Sequence, residues 1–489
     1  MARVTLGDFA QELLVQIFTF LDAKDLVNSC LLVCWSWKSA IDGSMELQLV
    51  IELWADGMVA GDLPNLTIVE TLDALYERRR AWLGLNWFSR IELEVKPWPC
   101  TYRLTGGVFA QLCDTSFTAT WLPSARNPMM WTSTVVLDVT GRENHFVMDP
   151  TQDLVLFAYM GTHNEVNMNC RSLSSLKPYP LRAGPMVMAY SMDWNEHIRA
   201  VDLAGDVLSL FFDQGRVVLL NWCKGGLSVG INSDFPPVRP ASFSLLSPRA
   251  FILGYGGDME PQPKLEIWAI KGNIHNHVAT LQLPELVRDV LDPSFATYTT
   301  GFCAIPGTGR QFSKSNDERL FVVFFLSKHL FVHFRYLLQY LANRDGPVIV
   351  PWHEWGPQHT RMLKLSDDPY LRGYASVHGK RVAHCPSPEN GSAIQVLDFG
   401  MSALRRNFPG EAQPDTQCVM ELHTEPSTIS DERFVAKSVT TSLPYREVVR
   451  SLDESEIQYD TFITIDNDHI VRVPVENNHP NRQPVVYTF

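Results

Sequence analysis

The sequence lacks a long hydrophobic run, a net positive charge and regularly spaced cysteine pairs. Its densest apolar segment, Leu320–Leu326, has the length of one buried strand and is far shorter than a bilayer span. Lysine and arginine total 41 against 54 aspartate and glutamate residues, and the net charge of −13 argues against nucleic acid or an anionic membrane as a partner. Nine scattered cysteines, and an N-terminus that mixes acidic with apolar residues, predict reduced thiols, no signal peptide and a cytoplasmic and/or nuclear location.

The spacing of the apolar residues changes near residue 90. With 489 residues and a hydrophobic content of 45%, the chain has room for two or three well-packed domains. Helical spacing dominates before residue 90, and the alternating spacing typical of strands follows it. We therefore predict three parts: a helical unit at 1–45, a helical linker at 46–89 and a β domain at 90–489.

Two short amphipathic helices are predicted at the N-terminus, separated at Asp22. Asp25 stands in the first turn of the second helix, where a carboxylate suits the helix dipole. Two short helices are too small to bury this much apolar surface by themselves. The apolar stripe therefore either packs on its own domain, as in an ordinary helical hairpin, or binds another protein. The apolar positions are Leu13, Leu14, Ile17, Phe18 and Leu21 in the first helix, and Leu26, Leu31, Leu32, Val33 and Trp37 in and after the second.

The same positions resemble an F-box, whose usual order is Leu-Pro-x-Glu-Leu-Leu-x-x-Ile-Phe-x-x-Leu, then Asp-x-x-Asp-Leu, then Val-Cys-x-x-Trp. This chain departs from that order with Phe9-Ala10 in place of Leu-Pro and with Trp35 where Lys or Arg is common. The resemblance implies that the chain binds a Skp-type adaptor and so becomes the substrate receptor of a cullin-based ubiquitin ligase. The residues that it implies for adaptor contact are Phe9, Glu12, Leu13, Leu14, Ile17, Phe18, Leu21, Leu26, Val33 and Trp37.

Two further helices are predicted in the linker, from Ser44 to Gly61 and from Thr67 to Trp87. The three arginines at 78–80 are interpreted as a solvated helix face, since the chain is acidic overall. This part of the chain is also similar to a large group of F-box proteins from mushroom-forming fungi. The segments that carry the wider resemblance are Leu47–Leu53, Arg79–Trp87, Trp352–Pro357 and Leu371–Arg381.

Strand-like segments recur after residue 90 between turns that contain glycine or aspartate. One run contains three of them, Ile198–Leu203, Val207–Phe212 and Arg216–Trp222, spaced as in an antiparallel meander. Four related strand patterns lie 83, 48 and 129 residues apart. Divided by two, one and three, these gaps give about 42, 48 and 43 residues, close to the period of one propeller blade. The aligned positions are Asp138, Asn221, Ala269 and Asp398.

We predict an α+β multidomain chain, with an all-α N-terminal F-box and linker and a C-terminal all-β domain. The β domain is predicted to be a degenerate β-propeller of six to eight blades, although no Trp-Asp dipeptide marks the blades. A β-sandwich with loops is the alternative. However, roughly 390 residues of strands are hard to fit into a sandwich, whereas radial repetition accommodates that length and leaves few open edges.

The sequence contains motifs that resemble catalytic and metal-binding sites, but the residues around them do not allow the structure that such sites need. Gly226–Gly230 fits the Gly-x-Ser-x-Gly pattern, but prolines follow it and prevent the helix that a nucleophile elbow needs. His353 and His359 lack the i, i+4 spacing of a helical zinc motif, and Gly356-Pro357 interrupts any helix there. We therefore predict no enzyme activity, no cofactor and no metal.

A group of aromatic and basic residues is predicted either to pack a blade turn or to line a substrate surface. Aromatic residues beside Gly-Pro usually pack a blade turn, so packing is the preferred interpretation, while the use of Trp and Arg as interface anchors supports the second role. The expected partners are a Skp-type adaptor, a cullin and an unknown target protein, with no nucleic acid and no membrane. An F-box scaffold outside a ligase and a β-propeller enzyme with a helical extension are the alternatives. The speculative substrate-binding residues are Trp352, His353, Trp355, His378 and Arg381.

Overall fold

Helices come first in the chain, and a ring of seven antiparallel sheets follows them. The prediction of N-terminal helices and a propeller of six to eight blades is therefore confirmed, with seven blades. The computed structural model describes residues 9–61, 66–94, 101–125, 128–137, 142–161, 165–180, 186–188, 197–224, 226–231, 239–256, 262–272, 274–285, 295–305, 310–325, 328–342, 346–365, 376–386, 393–400, 417–430, 438–452, 461–474 and 483–489.

The N-terminal unit contains three short α-helices where the sequence predicted two. Asp22 lies at the N-cap of the second helix, so the predicted break is in the right place. The chain leaves the helical conformation at Ser29, where φ is −123°, and for this reason Val33 and Trp37 do not continue that helix. The elements are α1 (Gln11–Phe18), α2 (Ala23–Asn28), a 3-10 turn (Cys30–Leu32) and α3 (Trp35–Asp42).

The linker consists of two helices with a short strand between them. The first helix ends at Asp56 rather than near residue 61, because Gly57 adopts a left-handed conformation with φ of 67° and caps it. The second begins with a capping box, in which the Glu70 amide donates to the Thr67 hydroxyl (3.2 Å) and the Thr67 amide donates to the Glu70 carboxylate (2.8 Å). The elements are α4 (Met45–Asp56), β1 (Met58–Ala60) and α5 (Ile68–Leu83).

The first four blades are four-stranded meanders that start at the central channel and run outward. A strand that precedes them, β2 (Ser89–Glu92), belongs to the last blade. Blade 1 contains β3 (Thr101–Thr105), β4 (Val108–Cys113), β5 (Ser116–Trp121) and β6 (Trp131–Val136); blade 2 contains β7 (Arg142–Asp149), β8 (Leu154–Met160), β9 (Val166–Ser172) and β10 (Met186–Met188). Blade 3 contains β11 (Ile198–Ala204), β12 (Val207–Phe212), β13 (Val217–Asn221) and β14 (Gly226–Ile231); blade 4 contains β15 (Ser242–Ser247), β16 (Ala250–Tyr255), β17 (Lys264–Lys271) and β18 (Ile274–Gln282).

Blades 5 and 6 carry insertions. In blade 5, β20 leaves the ring to pair with β1, and β23 adds a parallel fifth strand to blade 4. The elements of blade 5 and its insertions are β19 (Ala296–Thr299), β20 (Phe312–Lys314), β21 (Leu320–Phe325), β22 (Lys328–His333), α6 (Phe334–Leu338), β23 (Val348–Val350), α7 (Trp352–His359) and β24 (Thr360–Leu363). Those of blade 6 are β25 (Ser376–His378), β26 (Arg381–His384), β27 (Ala393–Asp398), β28 (Cys418–His423), β29 (Ser427–Ile429), β30 (Val439–Thr441) and β31 (Tyr445–Ser451).

Blade 7 closes the ring by combining the two ends of the propeller sequence. Its first three strands are β32 (Thr461–Ile465), β33 (His469–Pro474) and β34 (Val485–Thr488). The outermost strand is β2, which pairs antiparallel with β34 and aligns Arg90 with Tyr487. The backbone hydrogen bonds of this one pair of strands therefore hold blade 7 to the start of the propeller.

The middle strands of the blades are buried on both faces because each blade packs against two neighbours. All six residues of β12 are buried, as are those of β4 and β16, and these strands show continuous rather than alternating hydrophobicity. Further from the channel, β9 alternates between buried and half-buried positions. The alternation that the sequence shows is thus strongest near the outside of a blade.

Tight two-residue hairpin turns join the first and second strands of blades 1, 3, 4 and 6. Between β3 and β4, Gly106 and Gly107 both have positive φ, of 57° and 72°, as a two-residue turn with right-handed strand twist requires. The position where a Cβ atom of residue 107 would lie is occupied by the Arg310 guanidinium. Glycine is therefore favoured there by its conformation, and a larger residue would also displace the end of the Arg310 side chain.

The repeat that suggested a propeller contains two errors of spacing. Asn221 and Ala269 do mark the third strands of blades 3 and 4, one blade apart. The 129 residues from Ala269 to Asp398 span two blades rather than three, because blade 5 carries long insertions. The first aligned pattern belongs to a fourth strand, β6, and its anchor Asp138 lies outside the described residues.

Three smaller expectations also change. Gly356-Pro357 does not prevent a helix, because α7 runs through both residues from Trp352 to His359. Cys113 on β4 forms a disulfide, so the prediction of reduced thiols is wrong for this residue, while the seven other cysteines among the described residues form no disulfide. None of the helices in the described part of the chain has the length and apolarity that a membrane span requires.

Candidate functional site

The N-terminal unit has its own small core. Leu14 and Phe18 on α1 are each 1% exposed, and Leu26 on α2 is fully buried beside them. The ring of Phe18 contacts the Trp37 indole edge-on, with centroids 5.1 Å apart, which fixes α1 against α3. One face of the apolar stripe is therefore satisfied within the chain.

The opposite face of α1 presents apolar side chains to solvent. Leu13 and Ile17, one helical turn apart, are 47% and 41% exposed. Large apolar side chains exposed close together in sequence mark an interaction surface, because monomeric proteins rarely leave extended apolar patches open. We call the full set the N-terminal apolar surface, and it comprises Phe9, Leu13, Ile17, Phe20, Leu32, Val33 and Trp35.

The structure divides the ten residues predicted for adaptor contact into three groups. Phe9, Glu12, Leu13, Ile17 and Val33 are exposed. Leu21 and Trp37 are half-buried against the small core, and Leu14, Phe18 and Leu26 are buried inside it, where they are unavailable to a partner in this fold. The predicted adaptor set omits three exposed members of the N-terminal apolar surface, although all three are apolar in the sequence. They are Phe20, Leu32 and Trp35.

A buried ion pair joins the two linker helices. Arg79 on α5 lies 2.9 Å from the Glu52 carboxylate and 2.9 Å from the Asp56 carboxylate, both on α4. Burial raises the pKa of Asp56 despite the attraction of Arg79, and the pKa of Arg79 is raised by its two carboxylates against the effect of burial. The interpretation of this arginine as solvated was wrong, and so was that of the buried Arg78.

Helix α5 is fixed to the propeller at blades 6 and 7. Arg78 forms an ion pair with Asp468 in the β32–β33 turn at 3.3 Å. The indole of Trp82 stacks on Phe489 with ring centroids 4.2 Å apart, and the Arg381 guanidinium lies 4.4 Å from the same indole. The linker therefore holds the N-terminal unit on the propeller through both charge and aromatic contacts.

A second attachment comes from the blade 5 insertion. Its strand β20 pairs with β1, aligning Val59 with Ser313. The same insertion extends to blade 2, where the Ala304 amide donates to the Asp149 carboxylate at 3.2 Å. Arg310 in this insertion also lies 3.5 Å from Asp468. The insertion thus joins the linker, blade 2 and blade 7 at one end of the ring.

A cavity of about 1200 Å³ lies at this end of the central channel, beneath α5 and the blade 5 insertion. First strands and adjoining turns of all seven blades line it. At its margin, Trp121 and Trp131 of blade 1 stack with ring centroids 3.5 Å apart, and Phe88 and Met129 are well exposed. We call Phe88, Met129 and Trp131 the channel-margin surface.

Buried ionisable groups lie in the wall of the cavity and directly behind it. Although burial opposes ionisation of both Asp466 and His469, their mutual attraction lowers the pKa of the Asp466 carboxyl and raises that of the His469 imidazole. Burial, together with repulsion from Arg319, lowers the pKa of Lys314 to about 7. Its ammonium donates to the Gly301 carbonyl. These groups fix the turns of the channel end by hydrogen bonds to backbone and to one another.

The predicted substrate residues of α7 lie on the outside of blades 4 and 5. Trp355 is fully buried, and its indole N–H donates to the Gln282 carbonyl at 2.8 Å, so it cannot line a surface. Trp352 is half-buried and contacts Trp355 edge-on at 5.3 Å. His353 alone of these three side chains is exposed. The structure thus places Trp355 in the packing between α7 and blade 4.

The other two predicted residues lie elsewhere, at the channel end. His378 lines the cavity, and its Nε2 atom is 2.8 Å from the Asn467 amide oxygen. Burial lowers the pKa of His378 to about 3, with a further contribution from Lys314. Arg381 pairs with Asp398 at 3.2 Å and contacts α5. The five predicted residues therefore do not form one site, and residues 371–375 of the second fungal-like segment lie outside the described residues.

The Gly-x-Ser-x-Gly motif lies in an extended strand. Residues Gly226–Ile231 form β14 and pair with β13 along their length. A nucleophile elbow requires a sharp turn between a strand and a helix, and a strand interior does not supply it.

This chain is similar to one protein family near its N-terminus and to solved structures over most of its length. Residues 11–47 match a protein-family model described as F-box-like. Among solved structures, BamB from Moraxella catarrhalis aligns with a TM-score of 0.37 and 9% identity, over 83% of this chain and 99% of that chain. The C-terminal WD40 domain of Sif2 aligns with a TM-score of 0.38 and 8% identity, over 83% and 98%. No curated protein matches the sequence. The chain thus contains an F-box-like domain at residues 11–47, followed by a seven-bladed β-propeller.

Proposed function

We propose that this protein is the substrate-recognition subunit of an SCF-type, cullin-based E3 ubiquitin ligase. F-box domains generally bind Skp-type adaptors, and this chain combines such a domain with a large propeller. The protein itself catalyses no step in this proposal, because the partner enzymes transfer ubiquitin and this chain supplies proximity. The cytoplasmic and/or nuclear location that the sequence predicts, and the relationship to F-box proteins of mushroom-forming fungi, are parts of the same proposal.

The observation that carries the proposal is the N-terminal apolar surface. Within a domain that matches the F-box-like family, Leu13 and Ile17 face solvent while their neighbours Leu14 and Phe18 fill the local core. We assign direct adaptor contact to the exposed group, and support of the hairpin to the buried one. An apolar face of this kind is stabilised when a partner covers it.

The propeller is proposed to hold the target protein at the channel-margin surface. Trp131 and Met129 are 42% and 71% exposed beside the cavity, and aromatic and methionine side chains are typical anchors of protein interfaces. The linker attaches at the same end of the ring through Arg78 and Trp82. Because these contacts are buried and specific, the bound target would keep a defined position relative to the adaptor.

The proposal is tested by affinity purification from a eukaryotic extract followed by mass spectrometry. Wild type is expected to capture adaptor and cullin, and the Leu13→Ala/Ile17→Ala double variant is expected to lose both. A Met129→Ala/Trp131→Ala variant should keep adaptor and cullin but lose a subset of other partners, which are then the target candidates. Adaptor without cullin would instead favour a scaffold outside a ligase, and the absence of both from wild type would overturn the proposal.

A further inference from the structure

Three metal-ligating side chains meet on the outer edge of blade 6. Glu421 and His423 are two residues apart on β28 and therefore lie on the same face of the sheet. Glu447 on β31 is the direct cross-strand partner of Glu421 and shares that face. The group lies far from the N-terminal apolar surface in sequence and takes no part in the function proposed above.

The ligand atoms of this group lie close enough together to converge on one metal ion after small movements. The Nε2 atom of His423 is 2.9 Å from a Glu447 carboxylate oxygen and 3.9 Å from a Glu421 carboxylate oxygen. One ligand atom from each of the three residues lies within 4.8 Å of the other two. Ligands at ~2.0–2.1 Å in a tetrahedral zinc site are roughly 3.3 Å apart, so small side-chain adjustments bring all three atoms to one ion.

The charges of the group favour a divalent cation. Two carboxylates directly opposite each other on neighbouring strands repel and destabilise the pair. The His423 Nε2 atom lies within 4 Å of a carboxylate oxygen of each glutamate, and the imidazole offsets their charge only when it is protonated. A neutral imidazole and two carboxylates have a total charge of −2, which an ion of charge +2 neutralises.

Neighbouring side chains hold two of the ligands in position. The Gln395 amide on β27 donates to one oxygen of Glu447, which leaves the other oxygen directed at His423. The His423 imidazole stacks on the Tyr445 ring, with centroids 4.5 Å apart and an angle of 13° between the planes. Such outer contacts orient ligands and strengthen metal binding, typically by a factor of about 10–100.

We propose that Glu421, His423 and Glu447 bind one Zn²⁺ ion on the outer edge of blade 6. One imidazole nitrogen and two carboxylate oxygens are a ligand set that zinc accepts, whereas Mg²⁺ and Ca²⁺ prefer oxygen ligands alone. Three protein ligands leave the fourth tetrahedral position open to water. The bound ion would also connect the edge strand β28 to β31, in addition to their backbone hydrogen bonds.

The test is a titration of the chelator-treated, full-length protein with ZnCl₂ by isothermal calorimetry at pH 7.5. Wild type is expected to bind one Zn²⁺ ion. The His423→Ala and Glu447→Gln variants are each expected to bind Zn²⁺ at least tenfold more weakly or not at all, because each substitution removes a ligand. The affinity of wild type should also fall between pH 7.5 and 5.5, since imidazole must be neutral to coordinate. MgCl₂ at millimolar concentration should not displace the zinc.

The matched control is His353→Ala, which removes an exposed histidine that lies 3.8 Å from a single carboxylate, Glu354. This variant should titrate like wild type. Glu447→Gln nearly preserves the shape of the side chain, so circular dichroism and a melting curve without zinc will show that it is folded. If the folded Glu447→Gln variant binds zinc with the stoichiometry and affinity of wild type, or if wild type binds none, the assignment is overturned.

Discussion

The double variant Leu13→Ala/Ile17→Ala distinguishes a surface role from a core role for the stripe on α1. Both side chains are a little under half exposed in the free protein. Complete burial of such a side chain contributes about 1.5–3 kcal/mol, so covering the exposed half contributes about 0.7–1.5 kcal/mol each. Together the two truncations should weaken adaptor binding by about 1.5–3 kcal/mol, which is about 10- to 150-fold in Kd.

The same variant should leave the fold nearly unchanged. Substitutions at exposed positions generally change the free energy of unfolding by less than about 1 kcal/mol. Truncation of the neighbouring core residues differs sharply, because Leu14→Ala costs about 2–5 kcal/mol and Phe18→Ala about 3–5 kcal/mol at buried sites. Binding loss with intact stability is therefore expected only for the exposed pair.

The assay is calorimetric or interferometric titration of purified Skp-type adaptor onto wild type and variant, with melting curves recorded in parallel. Val419→Ala/Leu422→Ala is a matched control, since these two apolar side chains on β28 are 66% and 50% exposed but lie on blade 6. It should bind adaptor like wild type. A folded Leu13→Ala/Ile17→Ala variant with unchanged Kd would refute the assignment of this face to the adaptor.

Three further expectations concern stability. Replacing Arg79 by Met leaves two buried carboxylates of α4 without their cation. We expect the free energy of unfolding, measured by urea titration, to fall by about 3–5 kcal/mol, and an unchanged midpoint would contradict the buried ion pair. Trp355→Ala should cost about 3–5 kcal/mol in the same assay, whereas His353→Ala should cost less than about 0.5 kcal/mol, and equal effects would argue against the packing role. Because burial lowers the pKa of His378 to about 3 from 6.5, the folded state binds fewer protons than the unfolded one. The contribution of His378 to the free energy of unfolding should therefore be constant above pH 6.5 and should decrease below pH 6.5 by up to about 1.4 kcal/mol per pH unit. The His378→Gln variant should show a smaller difference between the urea midpoints at pH 7.5 and pH 5.5 than wild type.

Local patterns predicted the elements of the fold well, because their physical causes are local. The segments around Val207–Phe212 became strands as expected, since alternating or continuous apolar residues between glycine turns have few other ways to be buried. Blade spacing was harder to predict. The insertions of blade 5 lengthen the interval between Ala269 and Asp398 to 129 residues. Dividing this interval into three blades, although it contains two, predicted the right architecture from a wrong number of blades.

The errors about individual residues share a different cause, which is long-range pairing. Nothing near Arg79 in sequence shows that α4 returns beside it with two carboxylates. Pro357 interrupts helices in general, yet α7 accommodates it within a well-packed insertion. The proposed zinc ligands were equally invisible, because Glu421 meets Glu447 only through strand register.

Ring closure through β2 and β34 has a consequence for how the protein is made. Translation proceeds at about 5–20 residues per second, so roughly 20–80 s separate the synthesis of Arg90 from that of its partner Tyr487. The core of the N-terminal unit uses only residues between Leu14 and Ile51, and it can fold while the ribosome is still producing the blades. A nascent chain would therefore present its N-terminal apolar surface well before a closed propeller exists, and early adaptor binding would cover that surface during the interval when aggregation is the greatest hazard.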